Sequence, residues 1–435
     1  MPKGLLVLYD IEKFMLRAYK FRLYPTEEQE MILKNSLDAA RFVYNKLLEH
    51  KINKYKEEKT NVSKYSMYPI VKEILNENKS MNILYSQVYV NIIDRLDKSF
   101  KNFFRRVKEN KLGKKQKVGF PRFKNKDRYK SITYPQYGFK IIDDNLVSLS
   151  NIGILKFEYH KEIRGKLKIA TVKNDADRWY IVFICDVDPQ ILREERLSKM
   201  SKEEIETNKI VGIDVGIHSL VATSDGEIID NPKILLKSER ILKVRHRQLS
   251  KKKKGSKNRV KAKIRLAKVY KMIERERETF LHEITNKLIR GYKFIILEKL
   301  NIMGMTKNHH LAKSILDASW NELVRQLTYK AEEAGRVVLQ VDPRNTSKTC
   351  SRCGWIDEDL TLKDRIFKCD RCGLEMDRDV NAAKNIYKLG LEQLDKLGTL
   401  VLRGTDTNAC GDEASTLERS NASIVVEAGS TYSPV

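Results

Sequence analysis

Residues 349–386 read TCSRCGWIDEDLTLKDRIFKCDRCGLEMDRDVNAAKNI, and the interpretation of the whole chain starts from this stretch. It contains two C-x2-C pairs, Cys350 with Cys353 and Cys369 with Cys372, and fifteen residues separate the pairs. Four thiolates at this spacing are typical of a tetrahedral zinc site. The sequence therefore predicts Zn2+ as a structural cofactor.

Two glycines support the zinc interpretation. Gly354 and Gly373 each follow the second cysteine of a pair, where the chain must turn tightly to aim two sulfurs at one point. A disulfide framework or free thiols are the alternatives, but disulfides suit small secreted domains, and this is a large chain with 6 cysteines. Cys185 lies in an apolar run and is interpreted as a small buried hydrophobe, whereas Cys410 lies in a polar tail.

The charge of the chain indicates a polyanionic partner. Lys and Arg number 84 against 58 Asp and Glu in 435 residues, a formal net charge of +26. Such a surplus produces self-repulsion in a compact protein, and a nucleic-acid partner is the usual physical reason to keep it. A membrane surface could also attract the charge. However, the sequence has no apolar run of about 18 residues and no secretory signal, so we expect a soluble cytoplasmic protein without a membrane or small-molecule partner.

The N-terminal half of the chain predicts a β domain with a helical insertion. Apolar and basic residues alternate over Tyr19–Leu23, as in a half-buried strand, and β-like runs recur over residues 140–188. Between them, Thr26 and Gln29 form a capping-box pattern, after which apolar residues recur at three- and four-residue steps. This pattern predicts an amphipathic helix at the start of the insertion.

A stretch rich in cations and aromatic rings follows the insertion, over Lys111–Lys140. Cations suit phosphates and rings suit bases, so an extended stretch of this composition favours nucleic-acid binding. A solvated basic loop whose rings point into the core is an equally good interpretation of this stretch alone. The candidate nucleic-acid-binding residues in this half of the chain are Arg22, Lys114, Lys115, Arg122, Lys124 and Tyr129.

The most basic segment is Arg240–Arg277, where 17 Lys or Arg face 2 Glu. Part of it carries an apolar stripe at helical spacing, and Gly255 with Ser256 interrupts the pattern. We expect a helical hairpin that lies along a phosphate backbone, while a merely solvated face is the minority interpretation. The candidate contacts here are Lys251, Lys252, Lys253, Lys254 and Arg259.

Two apolar strands each carry one carboxylate. Asp214 lies in the run Ile210–Gly216, which two further short strands and an Asp-Gly turn extend into a meander. Glu298 ends the apolar run Phe294–Glu298. Because a buried charge costs several kcal/mol unless it has a partner or a metal, both acids are candidate site residues.

A third acid lies after the cysteines, at the start of a predicted helix. Asp379 is preferred over Asp377 because Ala382, Ala383 and Ile386 lie three, four and seven residues on and share its helix face. A lone Asp before a helix is usually an N-cap, and a lone Glu after a strand is usually on the surface. Only the three acids together favour a catalytic site.

The order of these elements matches a ribonuclease H-like layout, in which a meander, a further parallel strand and a terminal helix bring three acids together. Like charges gathered in this way become reasonable when divalent cations neutralise them. Two Mg2+ ions about 4 Å apart could then activate a water and stabilise the leaving oxygen of a phosphodiester. The sequence also predicts one helix over Ser314–Gly335, a strand over Val337–Val341 and a helix over Val380–Lys388.

The chain resembles the TnpB (OrfB-type) family of transposon-associated RNA-guided DNA endonucleases, which is similar to type V CRISPR effectors. The stretches that carry the resemblance span nearly the whole chain: Arg17–Thr26, Gly119–Lys124, Gly212–Gly216, Leu297–Leu300, Asn345–Ser347 and Asp377–Ala383. Met15 resembles the family's usual start, so residues 1–14 are expected to be either an upstream extension or the result of a misassigned start site.

The resemblance implies a fold that combines α/β, β and helical parts: a β-barrel-like wedge domain carrying a helical recognition insertion, then a RuvC-like nuclease with an inserted zinc ribbon. It implies a transposon-end guide RNA, a double-stranded DNA target with a short adjacent motif, and catalytic Asp214, Glu298 and Asp379 with Mg2+. In the first part of the chain, the expected segments are an extension 1–14, a wedge domain 15–25 and 109–190, and a helical insertion 26–108. In the second part, they are a nuclease domain 205–344 and 376–391 with its basic hairpin 240–284, a zinc module 345–375 and a flexible tail 392–435.

Two other functions fit the same scaffold. One is a non-cleaving RNA-guided DNA-binding regulator, against which the three intact acids argue. The other is a conventional transposase that joins DNA strands itself, and strand-transfer products without RNA would identify it.

Overall fold

The computed structural model describes residues 15–113, 117–300, 302–305, 309–342, 344–361 and 364–405. Predictions about the extension 1–14, Lys114, Lys115, Cys410 and the end of the tail lie outside these residues. The chain divides into two compact units, whose boundary in the sequence lies between Asp188 and Pro189. Within the described residues, none of the helices has the length and apolar character needed to cross a membrane.

In its described residues, the N-terminal unit contains one antiparallel sheet and three α-helices. Its elements are β1 Met15–Tyr24, α1 Glu27–Glu58, α2 Met67–Glu77, α3 Ser86–Lys111, β2 Ser131–Tyr134, β3 Phe139–Asp143, β4 Leu146–Leu149, β5 Gly153–Phe157, β6 Lys166–Asp175 and β7 Arg178–Val187. The seven strands are ordered β2-β6-β7-β1-β5-β4-β3, so β1 lies between β7 and β5. Helices α1–α3 lie between β1 and β2 in the sequence, where the helical insertion was predicted, while its role and barrel-like closure of the sheet stay predictions.

The alternation of β1 explains the core of this unit. Phe21 and its inward-facing neighbours are buried, and Phe21 packs edge-on against Phe157 with ring centroids 5.3 Å apart. The predicted capping box is present at the start of α1: the Gln29 N–H donates to Thr26 Oγ1, and the Thr26 N–H donates to Gln29 Oε1. Cys185 on β7 is buried, as expected for a small hydrophobe.

The C-terminal unit contains a mixed sheet, several helices and a small hairpin. Its elements are α4 Pro189–Leu197, α5 Lys202–Glu206, β8 Ile210–Asp214, β9 Ser219–Thr223, β10 Ile228–Asp230, α6 Ile234–Lys237, α7 Glu239–Ser250, α8 Lys257–Gly291, β11 Phe294–Glu298, α9 Ile302–Met305, α10 His309–Ala318, α11 Trp320–Ala334, β12 Val337–Val341, β13 Ile366–Lys368, β14 Glu375–Asp377 and α12 Arg378–Thr405.

The five-stranded sheet is ordered β10-β9-β8-β11-β12. Strands β8, β9 and β10 form the predicted antiparallel meander, and β11 pairs in parallel with both β8 and β12. The hairpin α7–α8 is also as predicted, with Ser256 capping α8 through the Arg259 N–H. Parallel strands place their carboxyl ends at one edge of the sheet, so the two predicted strand acids share that edge.

Two predicted boundaries are wrong. The predicted helix Ser314–Gly335 is interrupted at Ser319, whose φ of 53° is left-handed and separates α10 from α11. Burial of the next residue accounts for the break, because the indole N–H of Trp320 donates to the Gly216 carbonyl. Helix α12 continues past Leu391 to Thr405, and Leu394 still packs against the β11–β12 face.

One buried cation lies between α8 and α11. Lys330 is 2% exposed, and its ammonium donates to Thr285 Oγ1 at 2.7 Å and to the His282 carbonyl at 3.2 Å. The pKa of Lys330 is lowered to about 7, chiefly by burial and next by the positive charge of Arg196, while the negative charge of Glu333 opposes the shift. The folded state therefore holds this proton less tightly than the unfolded chain, in which a lysine has a pKa of about 10.4.

Lys330→Met tests this buried charge. Between pH 7.5 and 9.5 the unfolded wild-type chain binds more protons than the folded one. The free energy of unfolding of the wild type therefore increases as pH rises. The methionine variant lacks this gain, so its stability relative to the wild type should fall by about 2–3 kcal/mol across that range. Chemical unfolding at several pH values measures the difference. Lys257→Met, an exposed lysine on α8, is the control, and a pH-independent difference for Lys330→Met would contradict the assignment.

Candidate active site

Asp214 and Glu298 end adjacent parallel strands. In the pairing of β8 with β11, Ile213 lies opposite Leu297, so the next residue on each strand is the acid. Ile213 and Leu297 are buried, whereas Asp214 is partly exposed and Glu298 is 9% exposed. The apolar strand residues thus fix both carboxyl groups side by side at one edge of the sheet.

Asp379 joins this edge because α12 packs closely on β8. A Cβ built on Gly212 would lie 2.5 Å from the Tyr387 backbone nitrogen, so no larger residue allows this approach. The first turn of α12 then lies beside the loop that follows β8: a Cβ on Gly216 would be 3.8 Å from Asp379 Oδ2. Asp379 is 7% exposed. Three acids distant in sequence are therefore neighbours.

Electrostatic repulsion links the three acids. The pKa of Asp214 is well above its ordinary value, because burial disfavours the ionised form and because Glu298 and Asp379 add negative charge nearby; Arg378 opposes the shift. Burial also raises the pKa of Glu298, and a hydrogen bond from Thr346 opposes that shift. Repulsion between buried carboxylates is what a bound cation would relieve.

The structure separates the two candidates for the third acid. Asp377 Oδ1 accepts hydrogen bonds from the backbone N–H groups of Asp379, at 2.8 Å, and Val380, at 3.1 Å, so Asp377 caps α12. The side chain of Asp379 instead lies beside Asp214 and accepts a hydrogen bond from Arg378 at 3.1 Å. The geometry therefore favours Asp379, in line with the helix-face argument, and gives Asp377 the capping role.

Residues that the sequence reasoning missed hold Glu298 in place. The Thr346 hydroxyl donates to Glu298 Oε1, and Thr346 itself is buried. Helix α12 fixes this segment, because Asn385 donates to the carbonyls of Thr346, at 2.8 Å, and Thr349, at 2.6 Å, while Asn381 donates to Thr349 at 2.7 Å. The signal in the sequence was the pair of asparagines four residues apart on a helix that is otherwise apolar on that face.

The four predicted zinc ligands form a compact cluster. Their Sγ atoms all lie within 4.8 Å of one another, with Cys350 and Cys372 3.6 Å apart and Cys353 and Cys369 3.5 Å apart. Tetrahedral zinc with bonds of about 2.3 Å requires sulfurs roughly 3.8 Å apart, so the residues fit this metal. The same distances exclude disulfide bonds of about 2.05 Å.

The turns around the cysteines also match the prediction. Gly354 and Gly373 have φ values of 76° and 68°, in the left-handed region. Each glycine N–H donates to the carbonyl of the first cysteine of its pair, at 3.0 Å to Cys350 and 2.8 Å to Cys369. Strands β13 and β14 close the module around the buried Phe367.

The predicted nucleic-acid contacts fall into different environments. Tyr129 is 6% exposed and packs against Tyr44, so the prediction that its ring binds nucleic acid is wrong. Arg259 is also assigned differently, since its guanidinium donates to the carbonyls of Leu249 and Lys252 and closes the turn of the hairpin. That turn exposes Lys251, Lys252, Lys253 and Lys254.

The remaining contacts lie in the N-terminal unit. Arg22 lies over the ring of Tyr24, at 4.8 Å from the centroid. Arg122 is exposed and Lys124 is partly buried, both on the segment that connects α3 to the sheet.

Three family models match parts of the chain. The model described as "Probable transposase" (OrfB_IS605) covers residues 184–309, the Cas12f1-like TNB domain covers residues 320–386, and a helix-turn-helix domain of OrfB_IS605 proteins covers residues 15–60. In this structure, residues 15–60 contain strand β1 and the single long helix α1, not a helix-turn-helix.

Curated relatives match almost end to end. A Streptomyces pristinaespiralis protein named "Putative RNA-guided DNA endonuclease" is 32% identical over 382 residues, which cover 86% of this chain and 89% of the relative. InsQ of Escherichia coli K12, which bears the same description, is 28% identical over 393 residues. These residues cover 86% of this chain and 92% of InsQ. Among solved structures, the Cas12f1–sgRNA–target DNA complex shares the fold with a TM-score of 0.50 at 16% identity, covering 86% of this chain and 99% of that chain.

Thr346→Val tests the link between Thr346 and Glu298. Loss of a hydrogen bond to a buried, charged acceptor should lower the free energy of unfolding by about 1.5–3 kcal/mol. Thr346→Ser keeps the hydroxyl and should lose much less. Urea unfolding of the two variants provides the comparison, and equal destabilisation would show that the methyl group, not the hydrogen bond, matters.

Cys369→Ser tests the metal cluster. The wild-type protein should purify with about one zinc ion per chain, and the variant should lose it together with the fold of the β13–β14 module. Elemental analysis by mass spectrometry measures the zinc content. Cys185→Ala removes a buried cysteine outside the cluster and should keep the metal; zinc loss in both variants, or none in the wild type, would refute the site.

Proposed function

Because the chain belongs to the TnpB (OrfB-type) family of transposon-associated RNA-guided DNA endonucleases, we propose that it cleaves double-stranded DNA under the direction of a transposon-derived guide RNA. One observation carries this proposal: Asp214 and Glu298 end adjacent strands, and the charges of Glu298 and of Asp379 on α12 both repel the charge of Asp214. A protein that only binds nucleic acid has no physical reason to bear that repulsion. The three acids are the proposed catalytic residues.

The strand order supports a RuvC-like nuclease of the ribonuclease H fold. An antiparallel meander β10-β9-β8 followed by parallel β11 and β12, with a terminal helix on β8, is the layout that the sequence predicted from the order of its elements. The proposed nuclease therefore combines the mixed sheet with α12, and the zinc module with Cys350–Cys372 is inserted between β12 and α12. The wedge and recognition roles proposed for the N-terminal unit rest on the family resemblance.

The chemistry of the three acids suits divalent metal ions. They offer hard carboxylate oxygens, Glu298 and Asp379 are buried, and added positive charge would relieve the repulsion that acts on Asp214. When bound there, Mg2+ supplies activation of a water and stabilisation of the leaving oxygen in phosphodiester hydrolysis.

The protein's own groups hold the acids ready for this chemistry. Thr346 orients Glu298 by its hydrogen bond, and Arg378 orients Asp379 and reduces the negative charge of the site. The close contact of α12 with Gly212 fixes Asp379 relative to the strand that carries Asp214. Such preorganisation removes the need to reorient carboxylates in each catalytic cycle.

The basic surfaces fit the nucleic-acid partners of the proposal. The four lysines at the α7–α8 turn are exposed and suit contact with phosphates of a duplex. Under an RNA-guided mechanism, base pairing selects the target, and the protein recognises the shape of the heteroduplex, its phosphates and a short adjacent motif. Specificity then requires few direct base contacts from these lysines.

Asp214→Asn and Asp377→Asn test the assignment as a matched pair. Asp214→Asn keeps the size of the side chain but removes a metal-binding charge, so cleavage of matched DNA should fall at least about 1000-fold while guide-RNA binding stays unchanged. Asp377→Asn should stay within about tenfold of the wild type, because asparagine caps helices as well as aspartate does. Cleavage of plasmid DNA with a matched guide and Mg2+ measures both.

The outcomes separate the competing functions. Continued cutting by Asp214→Asn would refute the catalytic assignment. Guided DNA binding by the wild type without any metal-dependent cleavage would identify a regulator, and joined DNA strands formed without RNA would identify a conventional transposase.

A further inference from the structure

A cavity of about 280 Å3 lies in the N-terminal unit, among α1, α3 and the segment Gly119–Lys124. Four cations line it: Arg106, Arg122, Lys124 and Arg128. Among the described residues that line it, none carries a carboxylate. Its volume is near the lower end of small-molecule pockets, roughly 300 Å3, a size that suits one nucleotide and not a duplex.

Aromatic rings complete the lining. Phe123 is 54% exposed between Arg122 and Lys124, so its ring is accessible to a partner. Tyr44, which also lines the cavity, is buried, and the Lys124 ammonium lies 5.8 Å from its ring centroid. An exposed ring between cations combines base stacking with phosphate attraction, the two interactions that bind single strands.

The cavity segment is held rigidly. Asn45 on α1 donates to the Lys124 carbonyl at 2.9 Å and accepts from the Lys124 N–H at 2.8 Å. Phe120 packs edge-on against Phe103, with ring centroids 5.2 Å apart. The residues between these two anchors, including Phe123, therefore have little freedom, which lowers the entropy that ligand binding must overcome.

The cations are crowded. The pKa of Lys124 is lowered by burial and then by the positive charges of Arg128 and Arg95. Asp38, a carboxylate of α1, forms ion pairs with Lys126 and Arg41, neither of which lines the cavity. Arg106 adds a guanidinium Nε that is buried without a hydrogen-bond partner. The cluster thus lacks neutralisation from its own lining, and an anion would supply it.

We propose that this cavity binds one unpaired nucleotide of a single strand, with its base stacked on Phe123 and its phosphate held by Arg122 and the neighbouring cations. Duplex nucleotides do not fit this description because their bases are stacked on each other. RNA and DNA single strands share the chemistry, and the guide RNA or the displaced DNA strand of the proposed function would supply it. Only the source of the strand rests on that function.

Phe123→Leu in the full-length protein, freed of nucleic acid, tests the proposal. Affinity for a labelled 12-nucleotide single-stranded RNA, measured by fluorescence anisotropy at fixed salt, should fall roughly 5- to 100-fold through loss of stacking. Phe104→Leu is the matched control, since Phe104 is 52% exposed on α3 and outside the cavity lining, and should leave affinity unchanged. The same measurement is repeated with single-stranded DNA of the same sequence. The nucleic acid whose affinity falls more in Phe123→Leu identifies the strand, RNA or DNA, that the cavity binds.

Arg122→Gln tests the phosphate. This substitution should weaken single-strand binding and reduce the slope of log K against log salt concentration by about one, the value for one phosphate contact. Arg105→Gln, which changes an exposed arginine of α3, is the control and should alter neither quantity.

A third readout does not depend on affinity. RNA containing 4-thiouridine should crosslink to the peptide 119–128 in the wild type and in Asp214→Asn, which keeps this test independent of cleavage. The proposal would be overturned if Phe123→Leu and Phe104→Leu lowered single-strand affinity equally, or if Phe123→Leu lowered the affinity for duplex DNA as much as for single strands. Crosslinks found only outside peptide 119–128 would also overturn it.

Discussion

The contact between helix α12 and strand β8 at Gly212 determines where the chemical groups of the C-terminal unit lie. A side chain at this position would collide with the backbone of α12, so the helix can approach the strand only because the residue is glycine. The approach places the first turn of α12 over the end of β8, and Asp379 next to Asp214. Two acids come from neighbouring strands of one sheet, but the third depends on this single close contact.

The same helix joins the metal module to the acids. One of its faces packs on β11 and β12 through Ile386 and Leu394. Asn381 and Asn385 hold the carbonyls of the segment that leads into the first cysteine pair, and that segment supplies the hydroxyl bound by Glu298. The position of Glu298 is therefore coupled to the fold around the cysteines through a short chain of buried hydrogen bonds. The inserted module between β12 and α12 is thus connected to Glu298 through the segment that precedes the first cysteine pair.

Sequence patterns predicted the parts of this arrangement that depend on short-range chemistry. Cysteine spacing, apolar strands that end in Asp214 and Glu298, and the capping box at Thr26 are local features, and the structure contains each of them. The helix face of Asp379 was also readable, because periodicity relates it to Ala383 and Ile386, which are buried.

Features that depend on tertiary neighbours were not readable. Tyr129 lies in a basic stretch whose composition fits a nucleic-acid surface and a core equally well, and only packing against Tyr44 settles its burial. Ser319 adopts a left-handed conformation that its sequence does not signal, because burial of Trp320 outweighs helix propensity there. Thr346 and Asn385 are polar residues that a pattern assigns to the surface. They are nevertheless buried, because the Asn385 side chain donates a hydrogen bond to the Thr346 carbonyl.

The positive charges of the chain lie in three physically different environments. Arg259 and Lys330 satisfy protein carbonyls and hydroxyls, so their charges stabilise the turn of a hairpin and fill a helix interface. Lys251–Lys254 extend from that hairpin into solvent, where water screens their mutual repulsion. The cations around Phe123 belong to neither class, because they are crowded in a concave site whose described lining offers no carboxylate. Water screens a concave, partly buried cluster less well than an exposed one, so the gain from binding a phosphate is larger per charge in the cavity than at the hairpin.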